Sequence, residues 1–410
     1  MLKPLTLLLT VFMLVAACDV DLSHKTANNT PDDTVVARAN ELAQQFLIVD
    51  THVDVPYRLE EEYEDVSKAT EKGDFDYPRA IAGGLNTPFM SIYVPAKHED
   101  EGDAKQVADR LLDLVENVVA SAPGKFAIAR TPDEVRANFE AGVISFPMGM
   151  ENGSPIEGDL ENLKHFYDRG IRYITLAHSR NNHISDSSYD KERRWDGLSP
   201  FGKDLVKEMN RLGVMIDVSH LSDEAFYDVI EITEVPIIAS HSSPRHLTPD
   251  WERNMSDDMI RSLAENGGVV NINFGSSFVD SDAQKYSTKY IDLRNAWFEE
   301  QGFEENGPEA TGFAAGYRAA IPYPYADLGD VLDAFDHVVE LVGVDYVGVG
   351  SDFDGVGDSL PEGLKDVAGM PNLIAGFIER GYTDEDIEKM LGGNLMRVWF
   401  EVEAYANTQD

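Results

Sequence analysis

The sequence predicts an α/β fold, a (β/α)8 TIM barrel. Three observations predict it. Short apolar runs alternate with helical stretches along most of the 410 residues, which requires parallel strands joined by crossover helices. Eight such units can be marked out, the number that closes a barrel at this length. Six of the apolar runs end in His, Asp or Glu, and the carboxyl ends of barrel strands are where functional residues sit.

Taken in order, Val35 to Phe46 has helical spacing and leads into a first strand over Leu47 to Val49. The acids between Glu60 and Asp65 read as a solvated face. Pro88 to Val94 is a second strand, and Ala104 to Ala120 a long amphipathic helix. Thr131-Pro132-Asp133-Glu134 has the form of a capping box with proline at the first helical position. Val143 to Met148 is a third strand running into Glu151, and a helix over Leu160 to Arg169 stops at Gly170. Arg172 to Ala177, Val214 to Val218 and Pro236 to Ser240 are strands ending at His178, His220 and His241. Helices over Phe201 to Leu212 and Asp223 to Ile232 separate these three strands, and a helix over Ser256 to Glu265 comes after the third. Gly268 to Phe274 is a seventh strand. Residues 275–327 then read as an irregular, aromatic-rich insertion suited to a lid or a subunit contact, so a homodimer is one expectation. A helix over Leu328 to Val342 precedes the eighth strand, Tyr346 to Gly350, which ends at Asp352, and helices from Asn372 and Asp384 close the chain.

The first residues read as targeting rather than fold. Lys3 precedes an apolar stretch from Leu5 to Val15, too short to span a bilayer comfortably. It ends Val15-Ala16-Ala17-Cys18, small residues before the only cysteine of the chain, in the manner of a bacterial lipobox. The organisation expected is a signal peptide over 1–18, a flexible tether over 19–34 and a single catalytic domain over 35–410. Cys18 would be lipidated, and the domain would be held on the outer side of a bacterial membrane. The formal net charge of −40 argues against nucleic acid and anionic membrane surfaces as partners, and 43% hydrophobic residues suffice for a large core.

The chemistry begins at Asp50-Thr51-His52-Val53-Asp54. In an extended chain side chains two apart point the same way. An imidazole nitrogen and a carboxylate oxygen from His52 and Asp54 would therefore converge on one point, as a divalent metal such as zinc requires. One histidine after an apolar strand is ordinarily a hydrogen-bonded core residue. Repetition of the arrangement at Glu151, His178, His220, His241 and Asp352 favours a metal centre. His24, His98, His165, His183, His246 and His337 have no strand-end placement and read as surface or structural residues.

With these motifs in view, the chain from about Ile48 to Trp399 resembles the membrane dipeptidase (renal dipeptidase) family of zinc peptidases, a metal-dependent barrel of the amidohydrolase type. The matching segments are Asp50 to Asp54, Gly149-Met150-Glu151-Asn152-Gly153, Arg172 to Ser179 and Leu198-Ser199-Pro200-Phe201-Gly202. Ile216-Asp217-Val218-Ser219-His220, Ser240-His241-Ser242-Ser243, Arg253-Asn254 and Gly350 to Gly355 complete them. The resemblance implies hydrolysis of free dipeptides by a hydroxide bridging two zinc ions. It implies that His52 and Asp54 bind one zinc, His220 and His241 the other, and that Glu151 bridges. It implies further that His178 contacts the scissile carbonyl region, that Asp352 is the acid/base, and that Arg253 pairs with the substrate carboxylate. Two departures stand out. Phe278 follows Asn273-Phe274 where family members often carry a tyrosine, and the 275–327 insertion is longer than in mammalian relatives. The alternatives are another binuclear hydrolase acting on cyclic amides, lactones or phosphoesters, and a metal-dependent binding lipoprotein without turnover.

Overall fold

The computed structural model describes residues 32–303 and 308–409. The expected signal peptide, most of the tether and Cys18 lie outside the described residues. Ten strands occur in chain order: β1 Ile48–Val53, β2 Leu85–Tyr93, β3 Phe126–Ile128, β4 Ile144–Phe146, β5 Met148–Glu151, β6 Ile171–Thr175, β7 Met215–Asp217, β8 Ile238–Ala239, β9 Val269–Ile272 and β10 Val347–Val349. Eight of them close a parallel barrel in the order β1-β10-β9-β8-β7-β6-β5-β2. The fold is the expected (β/α)8 barrel.

The barrel strands are short apolar runs buried on both faces, as parallel strands under a coat of helices must be. β1, β5 and β6 are buried along their whole length. The helices outside are set by local chemistry. Ser199 accepts from Gly202 N–H ahead of Pro200, and Gly213, at φ 82°, ends the helix Pro200–Leu212. At Thr131 only half of the expected capping box forms. Thr131 accepts from Glu134 N–H, but Glu134 accepts from Arg130 N–H one residue further back.

Several elements differ from the expectation. The first helix, Asp33–Gln45, begins within the range assigned to the tether, because Asp32 caps it by accepting from Thr34 N–H. The apolar run from Val143 is two strands: β4 pairs with β3 in a separate two-stranded sheet, and after Pro147 the chain enters the barrel as β5. The 275–327 insertion is helical, not irregular, with helices Ser276–Val279, Ser281–Gln301 and Pro308–Ala320. Phe298, Phe313 and Tyr317 form a small core of its own, packed by Tyr290, Trp297 and Phe303.

Candidate metal centre and active site

β1 carries His52 within its last residues and is followed at once by Asp54, the first residue before helix Val55–Glu61. Nε2 of His52 lies 3.4 Å from Oδ2 of Asp54 and 3.4 Å from Oε2 of Glu151 at the end of β5. The other oxygen of Glu151, Oε1, lies 3.1 Å from Nε2 of His220, 3.3 Å from Nε2 of His241 and 3.4 Å from Nε2 of His178. One carboxylate therefore faces two different donor sets, one through each oxygen. The ring of His241 stacks on that of His52 at 3.8 Å, and its Nε2 is 2.8 Å from Nε2 of His220. Donor atoms of Asp352 fall with those of His52 and Asp54 in one group, and those of His178 with Glu151 and His220 in another. His178 and Asp352 thus sit among the donors and not beside them.

Two backbone features hold this arrangement. His220 and Asp352 both have left-handed φ, at 69° and 64°, a conformation non-glycine residues rarely adopt and one that concentrates at functional sites. It turns each side chain back over the barrel mouth where a continuing strand would carry it away.

The ligand tautomers are set from behind. The Tyr173 hydroxyl donates to the carbonyl of Thr51 at 3.0 Å and lies 2.9 Å from Nδ1 of His52. With its own proton so engaged, it accepts from Nδ1–H and leaves Nε2 of His52 as the nitrogen that faces Asp54 and Glu151 and that a metal would take. The Ser240 hydroxyl donates to Asp217 at 2.6 Å and lies 2.7 Å from Nδ1 of His241, which imposes the same tautomer there. Tyr173 can reach across the barrel because position 149 is glycine: a Cβ there would lie 1.9 Å from the ring carbon bearing the hydroxyl.

The electrostatics follow from burial. Burial would raise the Glu151 carboxyl, but the surrounding imidazoles, His52 and His178 foremost, hold it well below the usual range. His220 and His241 are pushed well down by burial, with Arg253 adding to the effect. They are neutral imidazoles, the form that ligates. Burial among acids pushes Asp352 up to about 7, with Asn273 opposing it by donating to Oδ2 at 2.7 Å. Arg253 is buried. Its Nη1 donates to Ser242 Oγ at 2.7 Å and its Nη2 to the His241 carbonyl at 2.8 Å, while its Nε has no hydrogen-bond partner.

Metal ions fit these residues. Nε2 of His52 and Oδ1 of Asp54 are buried without a hydrogen-bond partner, which is costly unless something else satisfies them. Imidazoles and carboxylates converging at this spacing are a donor set for a borderline divalent ion.

A family model described as membrane dipeptidase, peptidase family M19, matches residues 36–410. The chain belongs to that family. A dipeptidase, tcpJ, of Claviceps purpurea is 31% identical over 344 residues, covering 82% of this chain and 71% of the fungal one. An uncharacterized dipeptidase of Schizosaccharomyces pombe, C965.12, is 30% identical over 391 residues, covering 90% and 83%. Among solved structures, the probable dipeptidase PvdM of Pseudomonas aeruginosa superposes with a TM-score of 0.77 at 29% identity, covering 91% of this chain and 99% of that one. A metallopeptidase of Rhodobacter sphaeroides, liganded with a phosphinate mimic of the dipeptide L-Ala-D-Ala, superposes at 0.71 with 28% identity, covering 87% and 99%. The M19 chain described here is accordingly a dipeptidase-type metallohydrolase.

Every site residue named from the sequence, save Cys18, comes to this one mouth. His183 does not: its Nδ1 faces Glu99 at 3.0 Å and its Nε2 accepts from Gly158 N–H. Sequence reasoning missed Tyr173, Asn273 and the Asp217–Ser240 pair, which act from within or behind the strands. It also missed Tyr57, Tyr93 and Tyr189, which line the cleft above the donors. Phe278, in the position where family members often carry a tyrosine, packs against Trp251 at 5.0 Å and under the Arg253 guanidinium at 5.0 Å, and brings no hydroxyl there.

Proposed function

We propose that this M19 enzyme is a zinc-dependent dipeptidase with two ions per chain that cleaves free dipeptides. The observation that carries the two-ion reading is Glu151, whose oxygens face separate donor sets. One ion would be held by His52, Asp54 and Glu151, the other by His220, His241 and Glu151. Bound there, the ions would supply Lewis acidity to the scissile carbonyl and lower the pKa of the attacking water. The remaining work belongs to the chain. Asp352, its carboxyl raised toward neutrality, takes the proton of that water and returns it to the leaving amine. His178, whose Nε2 lies 3.4 Å from Oε1 of Glu151, would meet the carbonyl oxygen as negative charge develops. Arg253 offers a fixed guanidinium to the substrate carboxylate, a pairing its planar fork favours. The phosphinate dipeptide mimic bound by the Rhodobacter relative supports a dipeptide as the substrate class.

The test compares kcat/KM for a dipeptide, its C-terminal amide and the matching tripeptide, with zinc content measured in parallel. Cleavage of the dipeptide with loss of at least tenfold for the other two is expected. Equal rates for all three would remove the free-dipeptide reading. Cys18 we infer to be the lipid attachment point that holds the domain outside the cytoplasm. The support is the Val15-Ala16-Ala17-Cys18 run.

A further inference from the structure

The cleft above the metal centre is larger than a small dipeptide needs. It encloses about 810 Å³ and runs without interruption from Glu151 and Asp352 out to the helical insertion. Pockets of about 300–1,000 Å³ hold drug-sized ligands, and a dipeptide of two small residues would fill only part of this one.

The outer wall comes from the insertion: an apolar patch with Arg294 and Arg318 beside it. Tyr286, Tyr290 and Ile291 from helix Ser281–Gln301, and Ala314 from helix Pro308–Ala320, face into the cleft. Ile291 is 43% exposed, so a large aliphatic side chain looks onto the cavity and not into a core. Tyr290 packs one edge on Phe313 and Tyr317, and the Tyr286 hydroxyl donates to the carbonyl of Ile321 at 3.0 Å. Both rings are therefore held in place with an apolar surface on offer, the arrangement by which aromatic side chains give binding area at little entropic cost.

The wall is fixed relative to the chemistry. Arg318 donates to Oδ2 of Asp358 at 2.6 Å and to the Asp358 carbonyl at 2.8 Å, and the Tyr325 hydroxyl donates to Oδ1 of the same residue at 2.7 Å. Asp358 belongs to the loop that comes after Asp352. The Ser276 hydroxyl donates to the carbonyl of Ser359 at 2.5 Å, next to it. The insertion is thus pinned to the segment that carries the acid/base.

We propose that the insertion wall is a side-chain subsite, so that the enzyme prefers dipeptides bearing a large apolar or aromatic side chain over those with two small ones. This rests on the dipeptidase reading above and adds the class of substrate. The non-polar patch of the wall is matched by a non-polar side chain, and it lines the same continuous cleft as Glu151.

The test uses the full zinc-loaded enzyme with Ala-Ala, Phe-Ala and Ala-Phe, in wild type, Ile291→Asp and Ala314→Glu. At least one of the two phenylalanine dipeptides should exceed Ala-Ala in kcat/KM by tenfold or more. Each variant should cut that ratio by tenfold or more, through KM. Circular dichroism and melting temperature should match wild type in both variants, because a general loss of the insertion's structure would also remove the wall. A wild-type ratio near one, or a ratio that survives both variants, overturns the subsite while leaving the dipeptidase reading intact. If none of the three is hydrolysed by metal-replete enzyme, the dipeptidase reading fails and this inference with it.

Discussion

The hydroxyl of Tyr173, on β6, meets Nδ1 of His52, on β1, at 2.9 Å through the interior of the barrel. The contact commits His52 to turning Nε2, not Nδ1, toward Asp54 and Glu151. Tyr173→Phe keeps the ring and removes the hydroxyl, and with it both this contact and the bond to the Thr51 carbonyl. Loss of such a supporting hydrogen bond typically costs 10- to 100-fold in metal affinity. Competition with a chromophoric chelator should show one weakened site of two, at unchanged fold by circular dichroism. Gly149→Ala should reproduce the defect, since its Cβ would strike the Tyr173 ring. Wild-type affinity in both variants would show that His52 needs no such support.

Glu151 is the one residue both donor sets share. Glu151→Gln keeps the shape but leaves a neutral amide among His52, His178, His220 and His241. Metal analysis of the purified variant should find clearly fewer than two ions per chain, and turnover should be abolished. Two ions with full activity would dismiss the bridging role.

Asp352 presents the opposite case. Its Oδ2 accepts from Asn273, and its carboxyl groups with His52 and Asp54 and not with Glu151. Asp352→Asn should retain most of its metal while losing on the order of 10²–10⁴ in kcat, the range for a positioned acid/base. A variant as active as wild type, or one that loses both ions, would refute the assignment.

A pH effect on stability is expected nearby, at Asp354. Burial pushes its carboxyl up to about 7, with Arg58 and the Asp74 N–H, which donates to Oδ1 at 2.6 Å, opposing. In the unfolded chain the same group titrates near ~3.9. Between these values the folded state keeps a proton that the unfolded state has released, so stability falls as pH rises through that window and levels off above about 7. Asp354→Asn removes the contribution. In chelator-treated protein the variant should gain on the wild type by roughly 1–3 kcal/mol between pH 4 and 7, read from urea midpoints. A difference that stays constant with pH would rule the titration out.

The anchor is tested by fractionation. Cys18→Ser should leave the chain unlipidated, either soluble or unprocessed, and mass spectrometry of the wild-type terminus should find a modified Cys18. An unmodified mature terminus beyond Cys18 would exclude it.

The convergence of the candidate ligands was legible because barrel topology turns a linear pattern into a spatial one: an acid or imidazole after each apolar run must arrive at the same rim. His52, Glu151, His220 and His241 could be placed from that rule alone. Tyr173 and Ser240 could not, since what they touch depends on which inward-facing side chains meet inside the barrel. The helix Ser281–Gln301 was missed for a different reason. Tyr286, Tyr290, Leu293 and Trp297 recur at helical spacing, but the stripe is written largely in tyrosine, whose hydroxyl disguises an apolar face. β3 is only Phe126–Ile128 and pairs outside the barrel, so no alternation with helices marks it.

The left-handed backbone at His220 and Asp352 sets stability against activity. Each such non-glycine residue costs the native state roughly 1–2 kcal/mol, and glycine would relieve most of it. A library of this enzyme sorted by melting temperature alone would therefore enrich glycine at 220 and 352 and return hardier proteins with no chemistry left. Engineering for heat resistance has to hold those two positions fixed and draw its gains from elsewhere in the barrel.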